Sequence, residues 1–71
     1  MEVDLHGMDV KFAKGYLKDI IEFTCEKEII VIHGYHAGNK IMEMVQRDFK
    51  HKKLKRKIKS LNSGITIFEL E

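Results

Sequence analysis

Val3 and Leu5 alternate with Asp4 and His6, the period-2 pattern of a short strand with one apolar face, and His6-Gly7 ends it. Asp9 follows as a predicted N-cap, because its carboxylate can accept the free N–H groups of a first helical turn. From Val10 onward Ala13, Leu17, Ile20, Ile21 and Thr24 recur at helical spacing, while Lys11, Lys14, Lys18 and Glu22 occupy the rest of the wheel. Gly15 inside this helix costs roughly 1 kcal/mol relative to Ala, so tertiary packing must hold the element together. Glu28 to Ile32 is a continuous apolar run rich in β-branched residues, too short for a buried helix, and predicts a central strand covered on at least one face. It ends in His33-Gly34, with a loop through Gly38. Asn39 then caps a second helix whose apolar positions are Ile41, Met44, Val45 and Phe49. A second alternating segment puts Lys53, Lys55, Lys57 and Lys59 on one side and Leu54, Arg56, Ile58 and Ser60 on the other. Turn residues at Leu61 to Gly64 lead into a last strand over 65–70, forming a hairpin with the third strand.

The order is βαβαββ. Right-handed crossovers moving the same way place both helices on one sheet face. The expectation is a two-layer α/β sandwich, a mixed four-stranded sheet with two helices on one face and the other face bare. A strand–His–Gly–loop–helix unit occurs twice, at Asp4-Leu5-His6-Gly7 and at Val31-Ile32-His33-Gly34. If these two strands are parallel, both His-Gly pairs lie at carboxyl ends, where open α/β sheets bind ligands.

Seventy-one residues form one domain, residues 1–71, with a thin core. No apolar run approaches the ~18 residues of a membrane span. The lone cysteine, Cys25, excludes an internal disulfide, fits a reducing cytoplasm and reads as a buried or half-buried filler. The formal charge of +2 hides an asymmetry. Residues 1–39 hold four Lys against seven acids, whereas residues 40–59 hold nine basic residues against two acids. That local excess of cations suggests a surface facing a polyanion.

The Asp4-Leu5-His6-Gly7 motif before a helix, and His33-Gly34 with Gly38 after the second strand, resemble the two signature motifs of the Smr (small MutS-related) domain family. Gly64 to Leu70 is similar to that family's last strand. The resemblance runs from Asp4 to Leu70 and implies a nucleic-acid endonuclease acting on RNA or DNA, with a fold like the C-terminal domain of bacterial translation initiation factor three. It implies catalytic roles for Asp4, His6 and His33 and loop roles for Gly34 and Gly38. The second motif departs from the usual His-Gly-x-Gly-x-Gly, since His36 stands where the middle glycine belongs.

The residues themselves carry a parallel reading. Asp4 and His6, two apart on a strand, share a face, and a carboxylate beside an imidazole fixes its tautomer and raises its basicity. His33 on the neighbouring strand end is then a second proton donor or acceptor, or a phosphate ligand. Two imidazoles suffice to cleave RNA through its own 2′-OH without a metal. The bland alternative has Asp4 and His6 capping loop N–H groups. Gly34 and Gly38 can present N–H groups to a phosphate or simply make a tight turn. A nucleotide-binding P-loop reading of 34–40 fails on spacing, with Ile41 where a Ser or Thr is required.

No paired Cys/His spacing calls for a metal, and no cofactor is implied. Lys40, Lys53, Lys55, Arg56 and Lys57 are the candidate phosphate contacts, although lysines on an edge strand also guard against aggregation. Tyr35 can stack on a base, and His36 lies in the same loop. The expected partners are nucleic acid and by extension a ribosome, with no membrane and a monomeric chain. The rival reading is a non-catalytic binding module whose altered second motif has lost turnover.

Overall fold

The computed structural model describes residues 1–34 and 40–71. The elements are β1 (Glu2–Asp4), α1 (Val10–Phe23), β2 (Glu28–Ile32), α2 (Lys40–Glu43, continued by a π-helical turn over Met44–Asp48), β3 (Leu54–Lys59) and β4 (Ile65–Leu70). The architecture is the anticipated α/β sandwich in βαβαββ order.

Asp9 caps α1 through its Oδ2, which accepts from the N–H groups of Lys11 and Phe12 at 3.1 and 3.3 Å. The helix buries Ala13, Leu17 and Ile21 along one stripe. β1 pairs parallel with β2, and β4 pairs antiparallel with both β2 and β3. The sheet order is therefore β1-β2-β4-β3, with β1, β2 and β3 running together and β4 inserted against them. The chain reaches the far edge after α2 and turns back to fill the gap.

Val3, Ile29, Val31, Phe68 and Leu70 project from one sheet face into a single core with Ala13, Leu17 and Ile21 of α1 and Met44 and Val45 of the second helix. Both helices thus cover the same face. Phe49 and Phe68 stack within this core, ring centroids 5.7 Å apart. Fully burying side chains of this size stabilises by about 1.5–3 kcal/mol each. The opposite face carries Ile30, Ile32, Ile65 and Ile67, all partly exposed, with Ile58 and Arg56 beside them.

Three local expectations change. The second helix is α-helical for only one turn, and its last turn closes with the Phe49 N–H donating to the Met44 carbonyl at 2.7 Å, a five-residue spacing. The wider turn seats Phe49 in the core alongside Met44 and Val45. Second, the alternation expected from Lys53 to Ser60 breaks at Lys55. Leu54 opposes Leu70 but Arg56 opposes Glu69, so a bulge spends one extra residue. Leu54 and Lys57 consequently share the helix-covered face, and Arg56 and Ile58 share the open one. Third, Cys25 is exposed rather than packed. It lies just beyond the Thr24 cap of α1, in the link to β2. Among the described residues no helix is long and apolar enough to cross a membrane.

Candidate active site

β1 and β2 bring the two His-Gly pairs to the same end of the sheet on adjacent strands. Pairing continues one residue past β1, where the Leu5 N–H donates to the Ile32 carbonyl at 2.7 Å, and the fully buried Leu5 pins the chain there. The turn that follows closes with the Met8 N–H donating to the Leu5 carbonyl at 3.1 Å. Its third residue is Gly7 at φ +79°, the left-handed position of a type II turn.

This turn folds His6 back over Asp4. The Asp4 Oδ1 accepts from the His6 backbone N–H at 3.1 Å and from its ring Nδ1 at 2.5 Å. An ionised carboxylate only accepts, so the imidazole carries a proton on Nδ1, and Nε2 has no hydrogen-bond partner among the described residues. The side-chain bond from His6 is the main cause holding the Asp4 carboxyl below its ordinary value, the backbone bond from His6 adds to it, and desolvation opposes both weakly. Both side chains are more than half exposed, at 51% and 68%. A solvent-facing, oriented imidazole can take a proton from a substrate hydroxyl.

His33 occupies the other half of this corner but turns inward. Its position continues the phase of Ile29 and Val31, so the ring enters the helix-covered layer and is only 4% exposed. Nδ1 donates to the Gly34 carbonyl at 3.0 Å, and Nε2 lies 2.9 Å from the Thr66 hydroxyl. The Gln46 side-chain amide donates to that hydroxyl at 2.8 Å, which leaves the hydroxyl proton for His33 Nε2. Both ring nitrogens are therefore occupied. The His33 and Gly34 N–H groups both donate to the Gly64 carbonyl, at 2.9 and 3.0 Å. Gly34 sits at φ +74°, and a Cβ there would lie 3.2 Å from the His6 Cβ. The two motifs thus meet as His6 against the Gly34 backbone, with His33 anchoring that backbone from below.

Thr66, Gln46 and Gly64 were not among the site residues expected from the sequence. For Thr66 a signal existed, since it shares the inward phase of Phe68 and Leu70, and a polar group there must find a partner. Nothing local marks Gln46. The loop candidates Tyr35, His36 and Gly38, and the expected cap Asn39, lie outside the described residues.

The basic candidates separate in space. Lys40 is exposed at the start of α2. The Lys53 ammonium donates to the Ile21 and Glu22 carbonyls at 3.2 and 2.8 Å, capping the end of α1. Arg56 pairs with Glu69 at 2.6 Å on the open face. Lys57 lies half-buried with its Nζ 5.8 Å from the Phe68 ring centroid. Burial pushes its ammonium below the ordinary value, the Asp48 carboxylate opposes this, and Lys50 adds to it. Lys55 stands exposed on the bulge. Among the described residues no three His, Cys, Asp or Glu side chains gather where a metal could bind. No protein-family model matches this chain, and no curated protein matches it.

Proposed function

We propose that this chain is a nucleic-acid-binding domain of the Smr type that cleaves phosphodiester bonds, RNA in preference to DNA. The observation that carries the reading is the Asp4–His6 pair, with His6 Nδ1 held on the carboxylate and the imidazole side chain mostly exposed. In this scheme His6 Nε2 takes the proton of a 2′-OH, and the 2′-oxygen attacks the adjacent phosphorus. The 5′-oxygen leaves and takes a proton from water, so the product strand ends in a 2′,3′-cyclic phosphate. Asp4 keeps the tautomer correct and stabilises the imidazolium that forms. His33 is a positioning residue here, holding the Gly34 backbone beside His6. RNA is the partner, free or within a ribosome, and the exposed thiol of Cys25 suits a reducing cytoplasm.

A second reading has its own observation. With both His33 nitrogens occupied, that imidazole does not stand ready as a proton donor, which favours a binding module without turnover. The two readings part on one experiment. Purified protein is incubated with end-labelled RNA and DNA, with and without EDTA, beside His6→Ala. Cleavage of RNA that survives EDTA, leaves cyclic ends and disappears in His6→Ala is the expected result. Binding by both proteins with no cleavage by either establishes the module instead.

A further inference from the structure

At the corner of the sheet diagonally opposite the Asp4–His6 pair lies an open cleft of about 280 Å³. Phe49 and Leu54 form its floor, and Lys50, Lys55, Arg56 and Lys57 stand around it. Arg47 also lines the cleft, and among the described residues no acid does. The charges differ in how they are engaged. Arg47 is paired with Glu43 and Asp48, and Arg56 with Glu69. His51, another lining residue, accepts the Lys53 N–H on Nδ1 and holds Glu22 through Nε2, so both its ring nitrogens are engaged within the fold. Lys50 and Lys55 are exposed and make no ion pair among the described residues. The bulge sets the Lys55 position, because the extra residue rotates the strand and puts Lys57 on the helix side while Arg56 keeps to the open face. Cations therefore reach the cleft from both sides of one strand edge.

We propose that this cleft grips backbone phosphates of a nucleic-acid strand at a distance from the point of cutting. β1 and β3 are three strand spacings apart, ~14 Å, and the cleft lies several residues back along β3, which gives a diagonal of roughly 20 Å. At 3.4 Å of rise per step in a duplex strand, that is about six nucleotide steps. Phosphates fit better than a membrane surface, because the apolar residues here form a floor, Phe49 only 2% exposed, and offer nothing to insert into lipid. The cutting end rests on the reading above, but the grip is measured without it.

The test is fluorescence anisotropy with a labelled 12-base-pair duplex and a labelled 12-nucleotide RNA over a range of salt. Wild type is compared with Lys50→Gln/Lys55→Gln, with the charge-keeping Lys50→Arg/Lys55→Arg, and with His6→Ala. The Gln pair should lower the duplex salt slope by about 2, one for each phosphate no longer neutralised, and weaken low-salt binding by about tenfold or more for any base sequence. The Arg pair and His6→Ala should retain wild-type slopes. An unchanged slope in the Gln pair overturns the proposal, as does binding to phosphatidylserine vesicles with no binding to either oligonucleotide. A Gln pair that loses its grip while no variant, nor wild type, ever cuts RNA keeps the cleft and removes the cleavage reading.

Discussion

Replacing Thr66 with Val tests whether the buried hydroxyl holds the corner of the site together. Valine keeps the β-branched shape and the fit against Phe68 and Leu70, so the change is nearly confined to one oxygen and its proton. Two hydrogen bonds disappear, from Gln46 at 2.8 Å and to His33 at 2.9 Å. Gln46 is only partly buried and can turn to water, at little net cost. His33 cannot, and an orphaned buried nitrogen costs about 1–3 kcal/mol. Taking ~2 kcal/mol as the centre, a domain of this size should lose roughly 8–16 °C in Tm. At 0.05–0.15 kcal/mol per residue the whole chain has only about 4–10 kcal/mol to lose, so the effect should be plain. Thermal and urea unfolding followed by circular dichroism reads it, with the urea m-value unchanged. The cost should persist in a Gln46→Ala background and shrink in a His33→Phe background, where no imidazole is left to orphan. A Thr66→Val protein within ~0.5 kcal/mol of wild type would refute the reasoning, as would an equal cost in the His33→Phe background.

Two further outcomes follow from the same contacts. Lys53→Met keeps the buried stem but removes the ammonium from the Ile21 and Glu22 carbonyls, so stability should fall by about 0.5–1.5 kcal/mol. Its duplex salt slope should match wild type, whereas Lys55→Gln should lower it by about 1; a lowered slope in Lys53→Met would place that lysine on the substrate instead. Asp4 titrates lower in the folded chain than its ordinary 3.8 because His6 bonds its charged form. Its contribution to stability is therefore complete above that value and is lost as pH falls through the folded one. Asp4→Asn should flatten the acid limb of a stability-versus-pH curve below about pH 4. Parallel acid limbs for the two proteins would show that the bond to His6 does not survive in solution.

What the chain determines by itself is what neighbours within a few residues can settle. The alternation of Val3 and Leu5, the helical stripe of Ala13, Leu17 and Ile21, the Asp9 cap and the β-branched run before His33 each act over one or two turns, and each appears where the pattern puts it. The Asp4–His6 contact belongs with them, because two residues and a type II turn at Gly7 suffice to close it. Its neighbour could not be read the same way. His33 shares its phase with Ile29 and Val31, but a strand apolar on both sides does not say which face the helices will cover. Once they cover that face, the imidazole is enclosed and must find Thr66, 33 positions along the chain. Lys53 looks like any other lysine in the basic stretch until packing carries the end of α1 to its ammonium. The bulge at Lys55 answers to the register of β3 against β4, and so decides which cations stand together at the sheet edge. Hydrogen-bond partners and the surroundings of a charge depend on which distant surfaces meet. Only the packed sheet order β1-β2-β4-β3 brings those surfaces together.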